Sequence, residues 1–210
     1  ELNDLNRGIV RHIQLFAGTA AISQFLPPLI AKYSKKYPEI QIDLEEGVSE
    51  KVVLALKSGK AEMGVFVEGT NTDGLDVQVF RSDELVLIFP KGHHLTGKKP
   101  IAFAETLDEQ WISLNPGAAM LNQQMSAASA IGKRINLRMQ VNSFDAVTQM
   151  VASGLGVALL PKAFALSVLQ VNHLNWRALQ DQWAQRKLMV GIRKDAGPDV
   201  IALRDFLVQT

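Results

Sequence analysis

The chain has 210 residues, 47% hydrophobic and 20% charged, an ordinary globular composition with enough apolar mass for a buried core, which excludes wholesale disorder. With 22 Lys+Arg and 21 Asp+Glu the formal net charge is +1, so the chain alone has no electrostatic footprint for wrapping nucleic acid or an anionic membrane. It contains no cysteine, which excludes disulfides, thiolate catalysis and Cys-ligated metal centres and fits a reducing compartment.

No apolar run approaches the length of a bilayer span. Glu1-Leu2-Asn3-Asp4 is neither a secretory signal nor an initiator Met, and the expectation is a chain processed or excised from something longer. Residues 8–18 read as a strand ending in Gly18. Residues 19–38 carry Ile22, Phe25, Leu26, Leu29, Ile30, Tyr33 and Tyr37 at helical spacing. Proline lacks the amide donor, so Pro27 and Pro28 divide them into a short turn after Thr19 and a helix starting near Pro28. Ile40, Ile42 and Leu44 alternate with polar residues as a half-buried strand. Ser49 is the expected N-cap of a helix carrying Val52, Val53 and Leu56, closed by Gly59.

Met63 to Val67 is a short apolar strand, and residues 77–81 and 84–90 read as two more. A polar turn spans Pro90 to Pro100, and Trp111 to Leu114 is a strand. Asn115-Pro116 is expected to open a helix reaching Ala130. Leu137 to Val141 is a strand, Ser143 caps the next helix, and Gly154-Leu155-Gly156 ends it before a strand at Val157 to Leu160. Pro161 starts another helix, residues 186–193 form a strand, and Pro198 opens a terminal helix. Strands alternate with helices throughout, which argues an α/β fold with parallel, doubly covered sheets.

No catalytic set is visible. There is no GxSxG elbow, P-loop or HExxH. Gly154-Leu155-Gly156 lies between helix and strand, the reverse of a dinucleotide fingerprint. Glu45 and Glu46 are adjacent on a strand and so face opposite sides. No histidine has a ligand partner at helical spacing, and His93-His94 in a Gly- and Lys-rich turn reads as solvated, so no metal site and no cofactor are expected. What remains is a set of small polar residues where strands turn into helices: Gly18-Thr19-Ala20, Val48-Ser49, Asn115-Pro116 and Asn142-Ser143. Such residues cap helices in any protein. Several together at the carboxyl ends of strands also suit a ligand cleft, because free amides at helix starts attract anions.

The segments GTAAISQFLPPLIAKYSKKYPEIQIDLEEG, VVLALKSGKAEMGVFV, DELVLIFPKGHHL and VTQMVASGLGVALLP, in that order and spacing, resemble the effector-binding domain of LysR-type transcriptional regulators. The resemblance implies two Rossmann-like subdomains with a hinge, like type 2 periplasmic binding proteins. Residues 1–7 would end a linker helix, residues 8–89 plus 188–210 would form subdomain I, and residues 90–187 the inserted subdomain II. The family's winged helix-turn-helix, its route to DNA, would precede Glu1. A small-molecule effector would bind between the subdomains of a cytoplasmic homodimer or homotetramer, with no membrane partner.

Carried over by matching segment, the effector-binding positions are Thr19, Ala20, Val48, Val67, Asn115, Asn142, Ser143 and Phe144. Val67 stands where members that bind aromatic acids place an arginine, and Val48 where many place a hydroxyl. The valines favour a weakly acidic or partly apolar metabolite over a strongly clamped carboxylate. The alternative of the same fold is a periplasmic or extracellular solute-binding protein. An enzyme is not expected, for want of an acid/base or nucleophile set.

Overall fold

The computed structural model describes residues 11–115 and 117–209. The expected linker-helix end, the first three residues of the expected first strand and Pro116 lie outside the described residues. The elements in chain order are β1 (Arg11–Ala17), α1 (Thr19–Gln24), α2 (Leu26–Lys36), β2 (Ile40–Glu46), α3 (Ser49–Ser58), β3 (Met63–Val67), β4 (Leu75–Pro90), β5 (Gln110–Leu114), α4 (Ala119–Ala130), β6 (Asn136–Val141), α5 (Phe144–Ala152), β7 (Ala158–Pro161), α6 (Lys162–Val168), β8 (Leu174–Ala178), β9 (Gln185–Arg193) and α7 (Pro198–Gln209). The chain divides into two compact units: residues up to Ser82 with those from Lys187 onward, and the inserted stretch Asp83–Arg186.

The first unit is built on β1, parallel to β2 on one side and to β3 on the other. β3 pairs antiparallel with Leu188 to Ile192 of β9. All five residues of β3 are buried, as its uninterrupted apolar run demands. Val52, Val53 and Leu56 of α3 pack on Phe16 and Phe66. Leu26, Leu29 and Tyr33 are the buried side of α2, with Tyr33 edge-on to Phe206 of α7 at 5.2 Å.

In the inserted unit Leu85 to Ile88 of β4 pair antiparallel with β7, and Val86 to Pro90 with β8. β5 and β6 are parallel. Trp111 is fully buried on β5, and its indole N–H donates to the Thr106 carbonyl at 3.1 Å. Its ring packs on Phe103 with centroids 5.5 Å apart, so a large apolar surface is buried with its one donor satisfied.

Several expectations change. The sheets are mixed, because β4 and β9 run against their neighbours. The two strands expected at 77–81 and 84–90 are one 16-residue strand, β4. Arg81 and Ser82 interrupt the apolar pattern there, but polarity alone does not break an extended backbone. The first crossing between units is at Ser82/Asp83, upstream of the expected Phe89-Pro90, because Leu85 to Pro90 pair with β7 and β8. α2 starts at Leu26, with both prolines in its first turn where no amide donor is needed. α4 starts at Ala119, not after Asn115, because Gly117 at φ 88° takes the left-handed region and delays the helix. β8 was not anticipated from the sequence at all.

Candidate functional site

In the first unit the carboxyl ends of three parallel strands lie side by side. Ala17 is in register with Glu46, and the Gly18 amide donates to the Val65 carbonyl at 2.9 Å. The Gly47 amide donates back to the Ala17 carbonyl at 3.0 Å. These bonds bring Thr19, Val48 and Val67 together at one sheet edge: Thr19 opens α1, Val48 is the N-cap of α3, and Val67 ends β3. Val48 is 37% exposed, whereas Ala20 and Val67 are buried and offer a ligand mainly backbone.

Two residues of this edge have roles that the sequence did not reveal. Glu46, the last residue of β2, accepts a hydrogen bond from the Thr19 hydroxyl. The proton of that hydroxyl is therefore directed at a carboxylate, which leaves the hydroxyl oxygen to act toward a ligand as an acceptor. Ser49 is the second. It was expected to cap its helix, but it is the first helical residue and its side chain is buried. Its Oγ accepts from the Val67 amide at 3.2 Å, which ties the start of α3 to the end of β3. A serine at a helix start looks the same in sequence in either role.

The inserted unit has a matching edge. β5 and β6 end side by side at Leu114 and Val141, and the Asn115 amide donates to the Val141 carbonyl at 3.1 Å. The Asn115 side-chain amide donates to the Asn142 side-chain carbonyl, so the two asparagines form one exposed polar surface. Ser143 is the N-cap of α5, as expected, its Oγ accepting from the Ala146 amide at 3.2 Å. Phe144 corrects an expectation. It was to supply an apolar ligand surface, but its ring is buried against Phe164, with centroids 5.2 Å apart. What Phe144 presents at this edge is its backbone amide.

Among the described residues, the trio that could hold a metal ion is His93, His94 and Glu109, all in the inserted unit. His93 and His94 were read as a solvated turn. Glu109 lies outside any local spacing rule, so nothing in the sequence pointed to it. Burial holds the His93 imidazole below its ordinary value of 6.5, against the opposing pull of Glu109. No helix among the described residues is long and apolar enough to cross a membrane.

The model of the LysR substrate binding domain matches residues 6–210. The chain belongs to that family. The LysR domain here is similar to the HTH-type transcriptional regulator CysL of Bacillus subtilis (strain 168), 27% identical over 158 residues, covering 71% of this chain and 53% of the relative. The chain spans about half the length of the curated relatives it matches. Those relatives are transcriptional regulators, not enzymes or solute-binding proteins. The Synechocystis PCC6803 CcmR regulatory domain in complex with 2-PG has a TM-score of 0.85 to this chain at 21% identity, covering 95% of this chain and 97% of that one. The effector-binding domain of QuiR in complex with shikimate has a TM-score of 0.81 at 18% identity, covering 94% and 95%. These likenesses establish the type 2 periplasmic-binding-protein-like fold for the LysR domain.

Proposed function

We propose that this LysR domain senses a small molecule at the carboxyl edges of its parallel strands, through Thr19, Ala20, Val48 and Val67 in the first unit and Asn115, Asn142, Ser143 and the Phe144 amide in the second. The observation that carries this reading is the gathering of Thr19, Glu46, Val48 and Val67 at one sheet edge in a chain whose family is a ligand-binding one. Carboxyl edges of strands are where open α/β sheets take ligands. The exposed Val48 side chain and the Glu46 carboxylate suit a modest, partly apolar ligand that presents a hydroxyl donor to the first unit, with Val67 offering its backbone. The asparagine pair and the start of α5 suit a weakly acidic group. Binding then controls transcription in the full-length regulator. DNA is contacted by its helix-turn-helix, assembly is as a homodimer or homotetramer through the faces of α2 and β2, and the compartment is the cytoplasm.

A thermal-shift screen of small hydroxylated acids tests this. A binder stabilises the folded state by mass action, by about 2.7 kcal/mol at one hundred times its Kd, and so raises the melting temperature. Thr19→Val is then expected to weaken the binder by about 1–3 kcal/mol with little loss of stability, because Glu46 is exposed and keeps water as a partner. Unchanged affinity in Thr19→Val sinks the assignment of this edge.

A further inference from the structure

We infer that His93, His94 and Glu109 form a binding site for a divalent borderline transition-metal ion, Zn2+ in the first place. His93 and His94 lie in the turn that follows β4, and Glu109 immediately precedes β5. The turn is held by the His93 amide donating to the Pro90 carbonyl at 3.2 Å and by the Thr96 hydroxyl donating to the His93 carbonyl at 2.7 Å. It stacks the two imidazoles with centroids 4.5 Å apart. Their Nε2 atoms converge on one carboxylate, His94 at 2.8 Å from Oε1 and His93 at 3.6 Å from Oε2.

Two observations separate this from a pair of ordinary hydrogen bonds. The first is geometric. The three ligand atoms all lie within 4.8 Å of one another. Nitrogen and oxygen ligands about 2.0–2.2 Å from a tetrahedral ion are about 3.4 Å apart, and each imidazole lies within several tenths of an ångström of that distance from one of the two Glu109 oxygens. The second is electrostatic. The Glu109 side chain is only 17% exposed, and among the described residues no Lys or Arg forms an ion pair with it. A half-buried carboxylate facing two imidazoles lacks a positive charge that a divalent ion supplies. His94 is 72% exposed, so a fourth position is open to water. Two nitrogens and one carboxylate oxygen are a ligand set that favours Zn2+, Cu2+ or Ni2+ over Mg2+ or Ca2+.

The site is separate from the proposed effector edge. Glu109 is at the amino end of β5 and Asn115 at its carboxyl end, so the strand itself, at about 3.3 Å per residue, lies between them. Ligation clamps the turn after β4 to the start of β5. The Leu95 amide approaches His93 Nδ1 at 3.4 Å. Ligation through Nε2 places a proton on Nδ1, so that contact must open.

The test is a calorimetric titration of the untagged chain with Zn2+, and with Co2+ followed by its visible d–d absorption. One saturable ion per chain is expected, with the Leu95 amide resonance shifting on binding. His94→Ala and Glu109→Gln are each expected to weaken binding at least as much as loss of a supporting partner does in known sites, about 10–100-fold. His12→Ala, in the other unit, is expected to leave it unchanged. Circular dichroism confirms that each variant is folded, and Glu109→Gln preserves the side chain's shape. Absence of saturable binding, or binding that survives both His94→Ala and Glu109→Gln, overturns the assignment.

Discussion

Asp83 and Arg186, the first and last residues of the inserted unit, form an ion pair in which both side chains are 2% exposed. They are 103 positions apart in the chain. The pair joins the two ends of the insertion where each passes into the other unit. Arg186 Nε has no partner among the described residues, so the guanidinium is not fully satisfied. Two charges removed from water are tolerated only while each has the other. Asp83→Ala leaves a buried, uncompensated cation and is expected to destabilise by about 3–5 kcal/mol. The double variant Asp83→Leu/Arg186→Met is expected to be more stable than either single change, because no charge is left stranded. Urea unfolding of the three variants checks the order.

Ser49 and Ser143 both stand at helix starts, yet their removal has different consequences. Ser143→Ala removes a cap at an exposed position, and about 1 kcal/mol is expected. Ser49→Ala orphans the Val67 amide in a buried setting, which costs about 1–3 kcal/mol. Ser49→Ala is therefore expected to lower the urea midpoint at least as far as Ser143→Ala, with unchanged m in both.

Gly64 lies under α3. A methyl group added there would sit 2.6 Å from Val52 Cγ1 and 2.8 Å from Leu56 Cδ1. Both are core atoms of fully buried side chains, so the helix must shift. Gly64→Ala is expected to cost about 1–3 kcal/mol by overpacking. Gly47→Ala is the contrast. Its methyl meets the Lys51 chain at 3.3 Å, and an exposed flexible side chain can move, so less than about 0.5 kcal/mol is expected. Equal melting temperatures for the two variants would refute this account.

Asp43 accepts hydrogen bonds from Gln41 at 2.8 Å, from Gln14 at 2.9 Å and lies 3.0 Å from His12 Nδ1. The Gln41 bond first, and then the His12 bond, hold its carboxyl below the ordinary 3.8. The folded pKa is depressed, so the contribution to stability is complete above the ordinary value and is lost as the pH falls through the folded one. Stability is therefore expected to fall below about pH 4, and Asp43→Asn is expected to flatten that part of the profile. Urea midpoints from pH 3 to 6 for the two proteins measure it.

The local elements were legible because their signals are local. The alternation of Ile40, Ile42 and Leu44 predicted β2, the apolar run at Met63 predicted β3, and Gly59, at φ 76°, closes α3 as its position suggested. Ser143 is a cap in the structure because a cap bonds three residues ahead, within reach of sequence reasoning. The edge residues Thr19, Val48, Asn115 and Asn142 were found through the family resemblance together with the rule that ligands sit at strand ends.

The remaining features depend on partners far away in the chain. Ser49 was misread because its partner is an amide 18 positions on, and no spacing rule connects a helix start to that strand end. Glu46 was set aside as half of an adjacent acid pair, and only the parallel register of β1 and β2 puts it beside Thr19. β8 alternates Leu174, Trp176 and Ala178 with Asn175 and Arg177, but over only five residues, and its pairing with the long strand β4 is what makes it a strand of the sheet. The sequence by itself determined most of the strands and helices and which family they compose, because hydrophobic period and turn residues act over a few positions. Only the tertiary structure decided that Asp83 meets Arg186 and that Glu109 meets two histidines, because a buried charge takes whatever partner the packed backbone brings within reach.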